Sequence, residues 1–231
     1  WFCISNEEYP RIFTTRKRLK DGSLYFGPYP NGKLLKELQD LISKLYPYRR
    51  CNLPMTEANV LKNKYRSCLN KQIKLCSAPC EACVSKQEYR EIINDIKKVL
   101  RGDFHQLKKD LKNQMMDYAK KLEFEKAQII KEKIQLLDAY AAKTSIVTNS
   151  FLNAEIFTYE PIHEGLIVNA MKVVNGRLIS SISKEVKVQI EQEIIDIFTT
   201  SIIQLRTELA WDSEQIIVPQ ILPLPRSEEH T

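Results

Sequence analysis

Apolar positions along this chain follow two different periods, and the changes from one to the other divide it into segments. Residues 2–5 and 11–18 are short β-prone runs, the second ending in the cations Arg16, Lys17 and Arg18. Lys20-Asp21-Gly22-Ser23 predicts a turn, since glycine supplies the positive φ a hairpin needs, and Leu24-Tyr25-Phe26 reads as the returning strand. Gly27-Pro28-Tyr29-Pro30 is a rigid non-helical link. Asn31 then caps a helix in which Leu34, Leu35, Leu38, Leu41, Ile42 and Leu45 share one face, and Pro47 stops it.

Residues 51–84 carry little periodicity. From Ser85 it returns: Ser85 and Glu88 have capping-box spacing, and Ile92, Ile93, Ile96, Val99 and Leu100 form a stripe up to Gly102-Asp103. Two further helices, 104–121 and 124–142, are separated only by a joint near Leu122-Glu123, so they fold back as an antiparallel hairpin. Thr144 to Ser150 reads as a linker. Beyond it the period changes to two: strands over 154–159, 165–174 and 177–186, the last pair joined by Asn175-Gly176, the strongest short hairpin signal. A helix over 189–207 and a strand from Gln215 to Val218 complete a small α/β unit. The fold class expected is α+β and multi-module: a short β-hairpin segment plus helix, a cysteine-rich region, a helical hairpin and the final unit.

No apolar run among the 231 residues approaches the ~20 that a membrane span requires. The chain opens on Trp1 and reaches charge at once, which is no secretory leader and reads as a piece of a longer, cytoplasmic protein. Residues 226–231 differ in character from what precedes them and read as a non-native tail. The net charge of +6 is unevenly spread: residues 1–80 hold 15 Lys and Arg against 6 Asp and Glu, whereas 81–231 hold 20 against 23. A basic first third is the footprint of a nucleic-acid contact at one end, or simply a solvated surface rich in lysine.

Five of the six cysteines fall within residues 51–83. Cys51, Cys68, Cys76 and Cys80 are separated by spacers of 16, 7 and 3, and only Cys80-Glu81-Ala82-Cys83 has the CxxC form of a zinc knuckle. The histidines, His105, His163 and His230, are distant in sequence. An all-thiolate site suits zinc or an iron–sulfur cluster, with Arg66, Lys71 and Lys74 favouring ionised thiols. The alternative is a set of free buried cysteines acting as small hydrophobes, as expected for Cys3 on its strand. Arg16, Lys17, Arg18, Lys20, Tyr25 and Tyr29 gather around one hairpin, where cations would neutralise phosphates and tyrosines stack, or where cations merely protect an edge strand.

In the helical hairpin, Met115, Tyr118, Ala119, Leu122 and Phe124 straddle the turn, and Ala127, Ile130, Ile134 and Leu137 continue the stripe. Two helices cannot bury both faces alone, so part of this surface meets another domain or another protein. No Walker loop, GxGxxG, HExxH or nucleophile elbow occurs, and no acidic cluster forms an evident two-metal centre. A stand-alone nuclease using Glu155, Glu164 and Asp196 is a poor rival, because their spacing gives no shared face.

These strings resemble the UvrC family, the nuclease component of the bacterial UvrABC excinuclease. EYPRIFTTRKRLKDGSLYFGPYPNG is similar to the end of the family's GIY-YIG nuclease domain, which assigns residues 1–50 to it. LYPYRRC with CLNKQIKLCSAPC resembles its cysteine region, here 51–102, and implies a 4Fe–4S cluster on Cys51, Cys68, Cys76 and Cys80, zinc being the alternative. AKKLEFEKAQIIKEKIQLL, within 104–142, resembles the UVR motif that contacts UvrB, which implies partner-binding roles for Leu122, Glu123, Phe124, Glu125, Ala127 and Ile130. Residues 151–222 are similar to the stretch entering the RNase H-like nuclease region. The resemblance implies incision of damaged double-stranded DNA on both sides of a lesion, with the metal-dependent nuclease centres outside these residues. Arg16, Lys17, Arg18, Lys20 and Tyr25 are then the expected DNA contacts. The spacer from Cys51 to Cys68 is longer than the family's, and Cys83 lies outside its pattern.

Overall fold

In a computed structural model of the protein, residues 1–29, 31–144, 153–163, 165–187 and 193–219 are described. The chain divides into two compact units, Trp1–Ser145 and Ile146–Thr231. Among the described residues the architecture is α+β, with seven helices and two small sheets, and no helix is long and apolar enough to cross a membrane.

The first unit opens with β1 (Phe2–Ile4), β2 (Ile12–Thr14) and β3 (Leu24–Phe26). The turn at 20–23 forms, but it does not join paired strands. β1 lies in the middle, antiparallel to both neighbours, so that Phe2 faces Thr14 on one side and Phe26 on the other. The reason is burial: Phe2, Cys3 and Ile4 are at most 2% exposed, and a fully buried strand needs hydrogen-bonding partners on both edges. Residues 16–18, expected to extend β2, leave the ladder after Thr15, with their cations in solvent.

α1 (Gly32–Leu45) starts where the Asn31 side chain accepts a hydrogen bond from the Leu34 N–H at 2.8 Å, and buries Leu38, Leu41, Ile42 and Leu45. The cysteine segment is more ordered than its lack of periodicity implies. It contains α2 (Glu57–Leu61), α3 (Leu69–Gln72) and a 3₁₀ turn at Pro79–Glu81. Helices of five and four residues are too short to imprint a period. α4 (Lys86–Arg101) begins with the reciprocal capping box expected: the Glu88 N–H donates to Ser85 Oγ and the Ser85 N–H to Glu88 Oε2. It ends at Gly102, whose φ of +82° is the left-handed cap that glycine adopts without strain.

α5 (Phe104–Lys120) and α6 (Phe124–Thr144) form the helical hairpin. Its antiparallel register follows from three cross-links: Phe104 against Tyr140, Lys108 paired with Asp138 at 2.8 Å, and Lys126 over Tyr118. One hydrophobic core joins the small sheet, α1, α4 and the base of this hairpin through Leu107, Leu111 and Leu137.

The second unit has β4 (Ala154–Ile162), β5 (Gly165–Val174) and β6 (Arg177–Lys187) as an antiparallel meander, then α7 (Ile194–Leu209) and β7 (Gln215–Ile217). Strand order is β6-β5-β4-β7, with β7 parallel to β4, the return that the α7 crossover permits. Asn175 and Gly176 both take positive φ, 51° and 71°, as a two-residue hairpin turn demands. At Gly165 a Cβ would lie 2.1 Å from the Val186 carbonyl oxygen, so only glycine lets β6 pair there. Phe157, Phe198, Leu205 and Trp211 anchor a separate core. The linker expected over 144–150 reaches past the described residues, as do 189–192 of the predicted helix, 220–222 and the tail 226–231.

Candidate functional site

The side chain that organises the cysteine region is Arg49, which is fully buried. Its guanidinium donates to the carbonyl oxygens of Tyr9 (2.6 Å), Cys51 (3.3 Å) and Leu53 (2.5 Å), and pairs with Glu7 at 2.8 Å. Its backbone N–H donates to Tyr89 Oη, and that hydroxyl donates to the Pro10 carbonyl. One residue thus ties the β1–β2 loop and α4 to the start of the cysteine segment.

Burial pushes the Cys76 thiol up; the Ala78 N–H, 3.4 Å from its sulfur, opposes this, Cys51 and Cys68 add to it, and Arg49 pulls against it. Cys80 is likewise pushed up by burial, then by Cys76, Glu81 and Cys51. Ala78 and Ala82 flank the turn holding Cys80, and both adopt left-handed φ, 51° and 54°, at a cost of about 1–2 kcal/mol each. Among the described residues, no three His, Cys, Asp or Glu side chains converge tightly enough to hold a metal ion. The sulfur chemistry, the N–H donor on Cys76 and the buried guanidinium fit an anionic, thiolate-held group.

Cys83 is exposed and faces Lys71, outside the quartet; Cys3 is buried in β1. Lys71 is paired with Glu81 at 2.7 Å, and Arg49 is a cation that acts on Cys76. The run Arg49-Arg50-Cys51 was the available signal.

Arg16, Lys17, Arg18 and Lys20 are exposed on one loop, and Arg18 lies over the rings of Trp1 (4.9 Å) and Tyr25 (5.7 Å). The Tyr25 hydroxyl accepts the Leu19 N–H at 3.0 Å, which fixes the loop. Tyr29, expected beside these cations, instead packs its ring edge against Phe2 on the core, because the link after β3 turns it inward.

The hairpin is divided. At its tip Leu122 and Phe124 are 73% and 64% exposed, with Met116 and Ile129 also open, and Leu122 takes φ +59° to turn the chain. Glu125 is exposed, and Glu123 and Ala127 are half-buried. Ile130 is buried with Ile134 and Leu137 in the core, so the outward surface ends before it.

The two described carboxylates of the nuclease rival have separate settings. Glu155 is fully buried, paired with Arg206 at 2.7 Å and accepting the Ser213 N–H at 2.7 Å, and so fastens β4 to the chain after α7. Asp196 is exposed in the first turn of α7, and Glu164 lies outside the described residues.

The small sheet and helices around the thiol-rich segment are those of an excinuclease-type middle domain: residues 1–99 match the family profile described as UvrC/Cho excinuclease, middle domain. UvrABC system protein C of Flavobacterium johnsoniae is 38% identical over 219 residues, 95% of this chain and 37% of that protein. That of Porphyromonas gingivalis is 35% identical over 216 residues, 94% and 36%, and that of Bacteroides thetaiotaomicron 35% over 223 residues, 96% and 37%. The chain belongs to the UvrC family. It spans a little over a third of the length of these curated relatives. No solved structure matches it.

Proposed function

We propose that this chain serves nucleotide excision repair as part of the UvrC component of a UvrABC system, docking on UvrB, touching damaged double-stranded DNA and holding a thiolate-bound inorganic cluster. The observation that carries this is the hairpin: its base is built into the core, while Leu122 and Phe124 of the Leu-Glu-Phe-Glu string stand in solvent. Exposed aromatic and aliphatic side chains on a rigid support are what a partner-binding anchor requires. The relatives' printed name, UvrABC system protein C, points to the same assembly.

The loop of Arg16, Lys17, Arg18, Lys20 and Tyr25 supports a DNA-backbone contact. The meander of β4, β5 and β6 followed by α7 and the parallel β7 is the order expected at the start of an RNase H-like region. In this reading the whole protein incises the strand on both sides of a lesion in the cytoplasm, with its divalent-metal nuclease centres outside these residues. Cys51, Cys68, Cys76 and Cys80 would hold a 4Fe–4S cluster, which when bound supplies a redox-active cross-link between distant parts of the segment. Arg49 holds the backbone carbonyls of Cys51 and Leu53, and the Ala78 N–H donates to the Cys76 sulfur.

Two measurements test this. Leu122→Ser with Phe124→Ala lowers affinity for UvrB by about 1–3 kcal/mol without loss of fold; unchanged affinity removes the hairpin from the interface. Anaerobic purification with iron, sulfide and zinc analysis yields about four irons per chain. One zinc and no iron would replace the cluster with a structural zinc site in a non-catalytic nucleic-acid-binding module.

A further inference from the structure

The segment 61–74 has a composition that neither the thiol quartet nor the hairpin explains. It contains five cations, Lys62, Lys64, Arg66, Lys71 and Lys74, and no acid. Among the described residues only Lys71 of these five has a carboxylate within ion-pair distance. Interleaved with them, Leu61, Leu69 and Ile73 are 74%, 65% and 52% exposed. Leu69 opens α3 and Ile73 caps its C-terminus, and both side chains are exposed.

This segment is held in place. Glu81 accepts the Ser67 N–H and the Lys71 ammonium, both at 2.7 Å. Tyr65 donates its hydroxyl to the Pro54 carbonyl at 2.7 Å, and the Asn70 carbonyl accepts the Leu75 and Cys76 N–H groups. Apolar side chains on a fixed backbone keep their exposure, which is costly for a face meant only for water.

We infer that 61–74 is a second DNA-contacting surface, selective for DNA whose bases are locally unpaired or unstacked. The cations complement phosphates, which selects nucleic acid over an apolar protein groove. An intact duplex offers those phosphates but hides its base faces. Leu69 and Ile73 gain buried area only where a base is displaced, as aliphatic wedges do at opened base steps. The inference deepens the proposed contact with damaged DNA and rests on it.

The test uses the whole chain, purified anaerobically, and fluorescence anisotropy with a 30-base-pair duplex (about three turns) and the same duplex carrying a four-nucleotide bubble. The wild type binds the bubble about tenfold more tightly, the effect of roughly one stacked base. Leu69→Ser with Ile73→Ser removes that preference and leaves duplex affinity and melting temperature in place. Lys62→Gln, Lys64→Gln and Lys74→Gln together weaken both ligands and flatten the salt dependence by about two to three. As a control, Arg16→Gln with Lys17→Gln weakens both ligands without altering their ratio. A folded Leu69/Ile73 variant that keeps the bubble preference overturns the inference, as does a wild type that binds both DNAs equally. A wild type that binds neither DNA overturns the broader DNA reading as well.

Discussion

Arg49 illustrates how much a single residue can fix. Its guanidinium is enclosed, and its two terminal nitrogens donate to three carbonyls and one carboxylate from two separate stretches of chain. Burying a cation is tolerable only with such partners, and deleting it strands them. Arg49→Met therefore costs about 3–5 kcal/mol in urea unfolding, and Arg49→Lys recovers only a part, since one ammonium cannot reach the same set. An unchanged unfolding midpoint would make the network incidental. In the sequence Arg49 and Arg50 look equivalent. Only the fold separates them, enclosing the first and laying the second over the Tyr48 ring at 4.8 Å.

At the scale of elements, the hairpin shows where periodicity stops being informative. The 3.6-residue stripe correctly gives both helices and their joint, but it runs unbroken from the tip to the base. What α6 meets at the base besides α5 is α1, far away in sequence, so Ile130 reads as equivalent to Phe124 until the tertiary structure buries it. The two ends accordingly respond differently to truncation. Leu137→Ala, at a fully buried position, costs about 2–5 kcal/mol. Phe124→Ala, largely exposed, changes stability by about 0.5 kcal/mol or less, so any loss of UvrB binding reads as interface and not folding. Equal destabilisation by the two in chemical denaturation would mean that the tip is part of the core.

At the scale of the molecule, the two units have separate cores, and each holds one of the two tryptophans: Trp1 in the first, Trp211 in the second. Single-tryptophan variants, Trp1→Phe and Trp211→Phe, are expected to report two different denaturation midpoints, and a shared midpoint would mean the units unfold as one. The division itself was legible, because a helical period gives way to strand alternation and an Asn-Gly turn after the linker. So were the caps at Asn31 and Ser85, the hairpin of α5 and α6, and the gathering of positive charge in the first 80 residues. All of these depend on residues within a few positions of one another, and short-range sterics and hydrogen bonding decide them from sequence alone. The central place of β1, the enclosure of Arg49 and the inward turn of Tyr29 depend on which distant segments meet. Those outcomes are selected by burial of the whole core, a long-range sum that no local window contains, and only the tertiary structure decided them.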